Sequence, residues 1–180
     1  RDIDATLACC PSDTILLLQN EINEIDYLIA EGARRGFRVC LNPAPFSPAI
    51  ASLPLASVDI LVVNETEAEG LVGTMGEEET VDALVRMLPD CEIVMTIGPE
   101  GLLYGKGNQR IRRPAEEAVV VDTTAAGDTF IGYFLAAQAE GMEADDALYF
   151  ASIASALCVA KPGACDAIPT RADVEAKLPA

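Results

Sequence analysis

The sequence predicts an α/β fold of Rossmann-like βαβ layers, in which a mostly parallel sheet is covered by helices. Short apolar runs alternate with longer amphipathic runs along most of the chain, a pattern typical of strands followed by helices. Hydrophobic residues make up 51% of the 180 residues, which is enough to bury one substantial core. A break in the alternation after residue 101 indicates an antiparallel addition at the sheet edge. We therefore expect a single α/β domain over residues 1–180.

The predicted elements follow one another in chain order. Strands are short runs rich in Ile, Leu and Val, as parallel strands buried on both faces usually are. We expect them at Ile15–Leu18, Phe37–Leu41, Ile60–Val63 and Ile93–Thr96. Helices are longer stretches with apolar residues three or four positions apart. We expect them at Ile22–Arg35, Glu65–Val72, Val81–Leu88, Gly127–Ala139 and Ala144–Val159.

The stretch Leu102–Val121 departs from this alternation. The glycine-rich segment Tyr104–Asn108 predicts a turn between two short antiparallel strands. At the end of the stretch, the β-branched run Val119–Val121 predicts a buried strand, and the apolar residues from Phe130 onward predict a largely buried helix. The segment between them is therefore a predicted strand-to-helix turn.

The charge composition disfavours several classes of partner. The formal net charge is −17 and the pI is about 4.1, so nothing attracts nucleic acid or an anionic membrane electrostatically. No apolar run approaches the roughly 20 residues needed to span a bilayer, and the first residues lack a signal-peptide pattern. We expect no nucleic-acid partner, no membrane partner and a cytoplasmic location.

The cysteine and histidine counts narrow the chemistry further. The six cysteines lie in a long chain with a large apolar fraction and no secretory features, so free thiols are expected rather than a disulfide framework. The chain contains no histidine, which excludes a Cys/His zinc site and a histidine-based catalytic triad. Any general base is therefore expected to be a carboxylate.

Ala125, Ala126 and Gly127 lie in the predicted strand-to-helix turn, directly before Asp128. The first N–H groups of a helix have no partner within the helix and carry partial positive charge, and small side chains let an anion approach them. The Asp128 carboxylate is placed to accept a proton from an attacking hydroxyl while these amides stabilise a transferred phosphoryl group. A plain helix start with Thr and Asp as caps explains the same residues, and spacing alone leaves both interpretations open.

The run Asp122–Phe130 resembles the second signature of the ribokinase-like (PfkB) carbohydrate kinases. The resemblance implies that Asp128 is the catalytic base and that the three small residues before it form an anion hole. Ile131 departs from the family, which usually has Asn after the Phe. The resemblance therefore bears on phosphoryl transfer more than on substrate preference.

Two segments that follow apolar runs extend the resemblance to nucleotide binding. Asn64–Glu67 resembles the family's N-x-x-E motif, which implies that Glu67 holds Mg²⁺ through water, although a helix cap in an acidic first turn explains it as well. Thr96–Gly101 resembles the T-x-G-x-x-G nucleotide loop, for which a hairpin turn is the alternative. The nucleotide-binding residues that the resemblance implies are Asn64, Thr96, Ile97, Gly98, Pro99, Glu100, Gly101, Gly127 and Ser152.

The stretch Ala160–Pro169 resembles the C-terminal segment that shapes the adenine pocket and a monovalent-cation site in the family. The residues implied at the cation site, mostly through backbone oxygens, are Asp122, Thr124, Cys158, Lys161, Gly163 and Ala167. Ala167 replaces the usual Ser, which removes one oxygen from that site. Ser152 replaces an Asn that the family often carries on the adenine side.

The resemblance implies an ATP-dependent kinase that phosphorylates a sugar hydroxyl, with ribose as the expected sugar. It also implies ATP as phosphoryl donor, Mg²⁺, K⁺ as activator, and a homodimer of the full-length enzyme. The chain has no Gly-Gly dipeptide, whereas the family's N-terminal sugar-binding and lid segment carries one. We therefore expect the C-terminal nucleotide-binding and catalytic part without that segment. The alternative is a non-catalytic nucleotide-binding module, or a truncated fragment lacking the sugar site.

Overall fold

The computed structural model describes residues 2–178, and these form two compact units. The first unit runs through Gly98 and continues over Leu102–Arg112. The second comprises Pro99–Gly101 and the chain from Arg113 onward. The first unit is a sheet with helices, and the second is mainly helical. The assignment of residues 1–180 to a single domain stays a prediction.

The sheet has six strands in the spatial order β1-β2-β3-β4-β5-β6. Their bounds are β1 Ile15–Gln19, β2 Arg38–Asn42, β3 Ile60–Asn64, β4 Glu92–Thr96, β5 Leu102–Lys106 and β6 Gln109–Arg113. The first four are mutually parallel, and β5 is antiparallel to β4. The α/β class, the mostly parallel sheet and the antiparallel edge addition are therefore confirmed.

Helices and short 3₁₀ turns connect the parallel strands of the first unit. The connecting helices are α2 Ile25–Arg34, α3 Glu65–Val72 and α4 Glu77–Met87, and 3₁₀ turns lie at Pro48–Ser52 and Leu55–Ser57; a further helix, α1 Asp2–Ala8, precedes β1. Alternate strand residues form the main core with α2 and α4; its members include Val39, Leu41, Leu61, Val63, Ile93, Met95, Ile29, Val81, Leu84 and Val85. Because a one-residue shift would turn these side chains to the other face, the core fixes the strand register.

Two helices begin more than one residue from their predicted starts. The helix α2 begins at Ile25 rather than Ile22, because Glu24 has a left-handed backbone with φ of 60° that a helix cannot continue through. The helix α4 begins at Glu77, four residues before the predicted Val81. Three glutamates in its first turn are favoured by the positive end of the helix dipole. The helix α1 is an addition to the predicted elements.

The predicted hairpin is present, but its turn is shorter than Tyr104–Asn108. The strand β5 includes Tyr104 and extends to Lys106, so the turn is reduced to Gly107 and Asn108. Gly105 serves packing rather than turning: a Cβ there would lie 2.8 Å from methyl groups of both Val81 and Val85. Contact between β5 and α4 therefore overrides the glycine-rich turn pattern.

The predicted buried strand at Val119–Val121 is wrong. These valines are 82%, 62% and 57% exposed, and the run joins no strand ladder among the described residues. The N–H of Val121 donates to the carbonyl oxygen of Val159 at 2.8 Å. β-branched residues favour an extended backbone, but a strand also needs a neighbour with which to pair its N–H and C=O groups. The turn before Asp128 therefore starts from a loop.

The second unit is built on two antiparallel helices, α5 Ala126–Ala139 and α6 Ala144–Val159. Gly141, with φ of 85°, reverses the chain between them. The rings of Phe130 and Phe134 stack at 6.1 Å, and Tyr133 packs against Phe150 at 5.5 Å. A 3₁₀ turn, Cys165–Ala167, and the helix α7, Arg171–Glu175, complete the unit.

All six cysteines are free thiols, as expected. Burial raises the pKa of the Cys40 and Cys91 thiols, the latter to about 12, so both stay protonated at neutral pH. None of the helices in residues 2–178 combines the length and the apolar character needed to cross a lipid bilayer.

We expect the 180-residue chain to self-associate through apolar surface at the sheet edge. Among the described strands β1 pairs with β2 alone, and Leu17 on β1 is 43% exposed. Burying the exposed part of one leucine contributes about 1 kcal/mol, so Leu17→Lys should weaken self-association roughly fivefold. Analytical ultracentrifugation at micromolar concentration measures this change.

Met87→Lys is the matched control, because Met87 is 41% exposed on α4 and the substitution adds the same charge away from the strand edge. It should leave the association constant unchanged. A monomeric parent chain, or equal weakening by the two substitutions, would contradict the role of the β1 edge.

Candidate active site

Polar side chains stand at the carboxyl ends of all four parallel strands. The register places Gln19 opposite Asn42 and Asn64 opposite Thr96. The Nε2 of Gln19 donates to Oδ1 of Asn42 at 3.0 Å, and Nδ2 of Asn42 donates to the carbonyl oxygen of Val62 at 2.9 Å. Open α/β sheets bind ligands at this edge. The first unit therefore presents a hydrogen-bonded polar row where a ligand is expected.

Asn64 and Glu67 form a reciprocal cap at the start of α3. Asn64 Oδ1 accepts from the Glu67 N–H at 2.9 Å, while Glu67 Oε2 accepts from the Asn64 N–H at 2.9 Å and Oε1 accepts from Asn64 Nδ2 at 3.0 Å. The predicted helix cap is therefore present, with Glu67 only 5% exposed. Burial raises the pKa of the Glu67 carboxyl, against the lowering effect of the hydrogen bonds from Asn64.

The segment Thr96–Gly101 leaves β4 through a short 3₁₀ turn, Gly98–Glu100. The Oγ1 of Thr96 donates to Val63 O at 3.4 Å, and Ile97 is buried in the core, so only its backbone is available to a ligand. Gly98 has φ of 47° and no atom within 4 Å of where a Cβ would lie. Space for a close backbone approach is therefore found at Gly98.

Gly101 has a different reason to be glycine. Its φ is 104°, and a Cβ there would lie 2.0 Å from the carbonyl oxygen of Arg113 and 2.7 Å from the nitrogen of Ala115. The neighbouring backbone therefore excludes any side chain, whether or not a nucleotide binds. Pro99 and Glu100, between the two glycines, are exposed.

The turn before α5 differs from the predicted row of three unpaired N–H groups. Ala125 has a left-handed backbone with φ of 61°, which closes a tight turn in which the Ala126 N–H donates to Thr123 O at 3.2 Å. In the described part of the chain, the Gly127 N–H has no acceptor, and Asp128 is exposed. The turn therefore presents the Gly127 amide and an accessible carboxylate side by side in the chain.

The Asp122 carboxylate joins two loops of the second unit. Its Oδ1 accepts from Thr124 Oγ1 at 2.7 Å and from the Thr124 N–H at 2.9 Å, and its Oδ2 accepts from the Gly163 N–H at 3.0 Å. The Thr124 hydroxyl, the Thr124 N–H and the Gly163 N–H lower the pKa of Asp122 to about 2. The Cys158 thiol lies 3.8 Å from Thr124 O. The structure thus brings together Asp122, Thr124, Cys158 and Gly163.

The remaining predicted residues are placed with less direct geometry. The Ser152 hydroxyl forms a hydrogen bond within α6, donating to Leu148 O at 2.9 Å. Lys161 is exposed, and its N–H donates to Cys158 O at 3.1 Å. Ala167 is buried in the 3₁₀ turn of the second unit. These three assignments stay predictions.

Sequence reasoning missed four polar residues of these regions. Gln19, Asn20 and Asn42 lie at the carboxyl ends of β1 and β2, and a polar residue ending each apolar run was the available signal. Thr129, next to Asp128, is 3% exposed, and its hydroxyl has no hydrogen-bond partner in residues 2–178. A polar residue at the start of an apolar helix is common, so the sequence offered no comparable signal that Thr129 would be buried without a hydrogen-bond partner among residues 2–178.

Comparison with known proteins places these features in context. Residues 22–171 match the family model described as pfkB family carbohydrate kinase. Ribokinase from Haemophilus influenzae is 36% identical over 177 residues, covering 95% of this chain and 56% of that protein. Ribokinase from Lactococcus lactis is 34% identical over 166 residues, covering 91% and 53%. The chain thus spans about half the length of these relatives.

A solved structure has a similar fold. The structure of Arabidopsis thaliana ribokinase complexed with ribose and ATP superposes with a TM-score of 0.83 at 31% sequence identity. The match covers 98% of this chain and 58% of that one.

Asp122→Asn should destabilise the full-length protein at neutral pH and much less in acid. The folded pKa of about 2 lies below the ordinary 3.8, so the carboxylate contributes stability above pH 3.8 that is lost as pH falls toward 2. The difference in Tm between the parent and the variant, measured from pH 7 to pH 3, should shrink at the acid end.

Asp166→Asn is the control, because it removes the same charge from an exposed position in the same unit. It should change Tm little across this range. If the difference in Tm between the parent and Asp122→Asn stays constant with pH, the carboxylate charge does not hold the two loops together.

Proposed function

The chain belongs to the pfkB family of carbohydrate kinases, and we propose that it is the nucleotide-binding and catalytic part of an enzyme that phosphorylates a sugar hydroxyl with ATP. The observation that carries this proposal is the turn at Ala125–Asp128, where a left-handed residue, an amide with no acceptor among residues 2–178 and an exposed carboxylate follow one another. Ribose is the expected sugar, because the similar Arabidopsis thaliana structure is described as a complex with ribose and ATP.

In this proposal Asp128 is the general base. Its carboxylate takes the proton of the sugar hydroxyl as that oxygen forms a bond to the γ-phosphorus, while the bond from phosphorus to the β,γ-bridging oxygen breaks and ADP leaves. N–H groups of the residues before Asp128 offset the charge that develops on the transferred group. The Ala126 N–H already donates to Thr123 O, so the Ala125 and Gly127 N–H groups, for which the described residues supply no acceptor, are left for this task.

The proposed nucleotide contacts are Asn64, Thr96 to Gly101, Gly127 and Ser152, and their local geometry supports them unequally. Gly98 supports the proposal best, because the space beside its Cα is open and its positive φ favours glycine. Ile97 contributes backbone only, and Gly101 contributes the shape of the loop. Ser152 contributes an oxygen only when its bond to Leu148 O opens.

The Glu67 carboxylate has the chemistry to hold Mg²⁺ through a bound water. Among residues 2–178 no three His, Cys, Asp or Glu side chains cluster to hold a metal ion, so a cage of protein ligands is absent there. Mg²⁺ usually keeps several waters and uses one or two carboxylates beside nucleotide phosphates. Both Glu67 oxygens accept from Asn64, and their remaining lone pairs suit bound water. When bound, the ion neutralises phosphate charge.

The proposed monovalent-cation site draws on Asp122, Thr124, Cys158, Lys161, Gly163 and Ala167. The hydrogen bonds that Asp122 accepts hold its two loops together, which supports a preformed set of backbone oxygens. Ala167 offers no side-chain oxygen, so K⁺ would be coordinated mostly by backbone carbonyl oxygens. When bound, K⁺ supplies positive charge near the turn before α5.

A nucleotide-binding module without turnover is the alternative function. Measuring ATP binding and phosphotransfer to ribose on the same preparation of full-length protein separates the two. Binding together with transfer supports the kinase, whereas binding without transfer to any sugar supports the module. We also propose that this chain is the C-terminal part of the enzyme without its sugar-binding and lid segment, and that the full-length enzyme is a homodimer.

Asp128→Asn should lower kcat on the order of 10²–10⁴-fold while leaving ATP affinity nearly unchanged, because it removes the base and keeps the shape of the side chain. Asp146→Asn is the control: Asp146 is also exposed and is also the third residue of its helix. Steady-state kinetics and ATP titration test both variants. Equal kcat values for Asp128→Asn and the parent would refute the assignment.

Gly127→Ala should separate activity from stability. Nothing lies within 4 Å of the added methyl, and alanine favours a helix over glycine by about 0.5–1 kcal/mol, so Tm should hold or rise. Phosphotransfer should fall about tenfold or more, because the methyl crowds the anion at this amide. Gly132→Ala is the control, because Gly132 lies in α5 and also has open space around an added methyl group. It should change Tm by a similar amount and leave activity unchanged. Unaltered kinetics for Gly127→Ala would exclude the anion role.

A further inference from the structure

The loop between β2 and the 3₁₀ turn Pro48–Ser52 is held at several points by the ends of two strands. The N–H of Asn20, directly after β1, donates to Ala44 O at 2.9 Å, and its Nδ2 donates to Pro45 O at 2.7 Å. The same Nδ2 lies 3.4 Å from the hydroxyl oxygen of Ser47. One asparagine therefore ties three residues of the loop to the carboxyl end of β1.

The start of this loop is fixed independently. Asn42 is 8% exposed, accepts from Gln19 and donates to the carbonyl oxygen of Val62, two residues before Asn64. The loop is thus attached to β1 and to β3, the strand that leads into α3. Phe46, in the middle of the loop, is only half-buried.

The ring of Phe46 is seated on Gly70 of α3. A Cβ at position 70 would lie 2.3, 2.4 and 2.9 Å from Cζ, Cε1 and Cε2 of Phe46, distances at which the ring or the helix has to move. Glycine at this position therefore permits a close contact between loop and helix. Glycine inside a helix costs roughly 0.5–1 kcal/mol relative to alanine, and backbone approach of this kind is what offsets that cost.

Gly70 and Glu67 are three residues apart in α3, so they lie on the same face of the helix. Glu67 is 5% exposed and both of its carboxylate oxygens accept from Asn64. A shift of the helix at Gly70 would therefore move the Asn64–Glu67 cap, which lies one turn earlier in α3. The chain of contacts runs from Asn20 through the loop and Phe46 to the helix that carries Glu67.

We propose that Asn20 and Phe46 are positioning residues for Glu67: the loop they hold sets where α3 begins relative to the end of β1. This inference rests on the proposed function, in which Glu67 acts on the metal of the bound nucleotide. Neither residue touches the reacting atoms in this scheme. Their effect passes through the Asn64–Glu67 cap and should appear in metal dependence before it appears in sugar affinity.

Gly70→Ala in the full-length protein tests the contact directly. The added methyl collides with the Phe46 ring, so the amide of Glu67 should exchange with solvent faster, measured by hydrogen–deuterium exchange over residues 64–68. The Mg²⁺ concentration for half-maximal phosphotransfer should rise about tenfold, with the sugar KM changed by less than about twofold. Gly132→Ala is the control, because it adds the same methyl to an open helix position.

Two more variants separate positioning from general damage. Phe46→Leu removes the ring atoms nearest Gly70, so combining it with Gly70→Ala should recover most of the exchange protection and Mg²⁺ dependence. Asn20→Asp keeps the side-chain shape but loses the donor to Pro45 O, so it should shift both readouts in the direction of Gly70→Ala.

The exchange measurement decides the inference even when the parent protein transfers no phosphate, an outcome that would refute only the proposed function. Unchanged exchange at residues 64–68 in Gly70→Ala would overturn the inference. The inference would also be overturned if adding Phe46→Leu to Gly70→Ala failed to recover the exchange protection. Equal changes in Mg²⁺ dependence and in sugar KM in Gly70→Ala would overturn it as well.

Discussion

A buried amide that joins three parallel strands is the interaction on which the polar edge of the first unit depends. Asn42 ends β2, accepts from Gln19 of β1 and donates to the Val62 carbonyl of β3. A buried polar group without a partner costs about 1–3 kcal/mol, and the Asn42 amide avoids this cost because both its oxygen and its nitrogen are hydrogen-bonded. With the strand ends fixed, Asn64 can cap α3 and the loop after Asn42 can reach Gly70.

The second unit meets a similar constraint with a charge instead of an amide. Asp122 accepts two hydrogen bonds from Thr124 and one from Gly163, which lies 41 residues farther along the chain than Asp122. An ionised carboxylate that accepts hydrogen bonds from a hydroxyl and from backbone N–H groups is stabilised in that form, which accounts for the low pKa of Asp122. The left-handed Ala125 follows directly, and the Ser155 hydroxyl donates to Ala126 O at 3.2 Å, so the start of α5 is held from α6 as well.

Much of the fold was predictable because hydrophobic periodicity is a local property. The predicted bounds of Glu65–Val72 and Ala144–Val159 agree with α3 and α6, and each predicted parallel strand lies within one residue of the observed one. Val119–Val121 failed because β-branched residues indicate backbone extension without naming a partner strand. The site was predictable as motifs, but the use of each residue was not: Gly98 leaves open space, whereas Gly101 is required by the backbone of residues 113–115.

The sequence by itself determined the fold class, the order of the elements, the exclusion of histidine chemistry and the membership of the carbohydrate kinase family. Each of these follows from composition, from spacing along the chain or from motifs of consecutive residues. Only the tertiary structure decided that Glu67 is buried with both oxygens engaged, that Asp122 joins two loops, and that Phe46 rests on Gly70. Burial, hydrogen-bond partners and close contacts depend on residues distant in sequence, and no local pattern specifies which of them will meet.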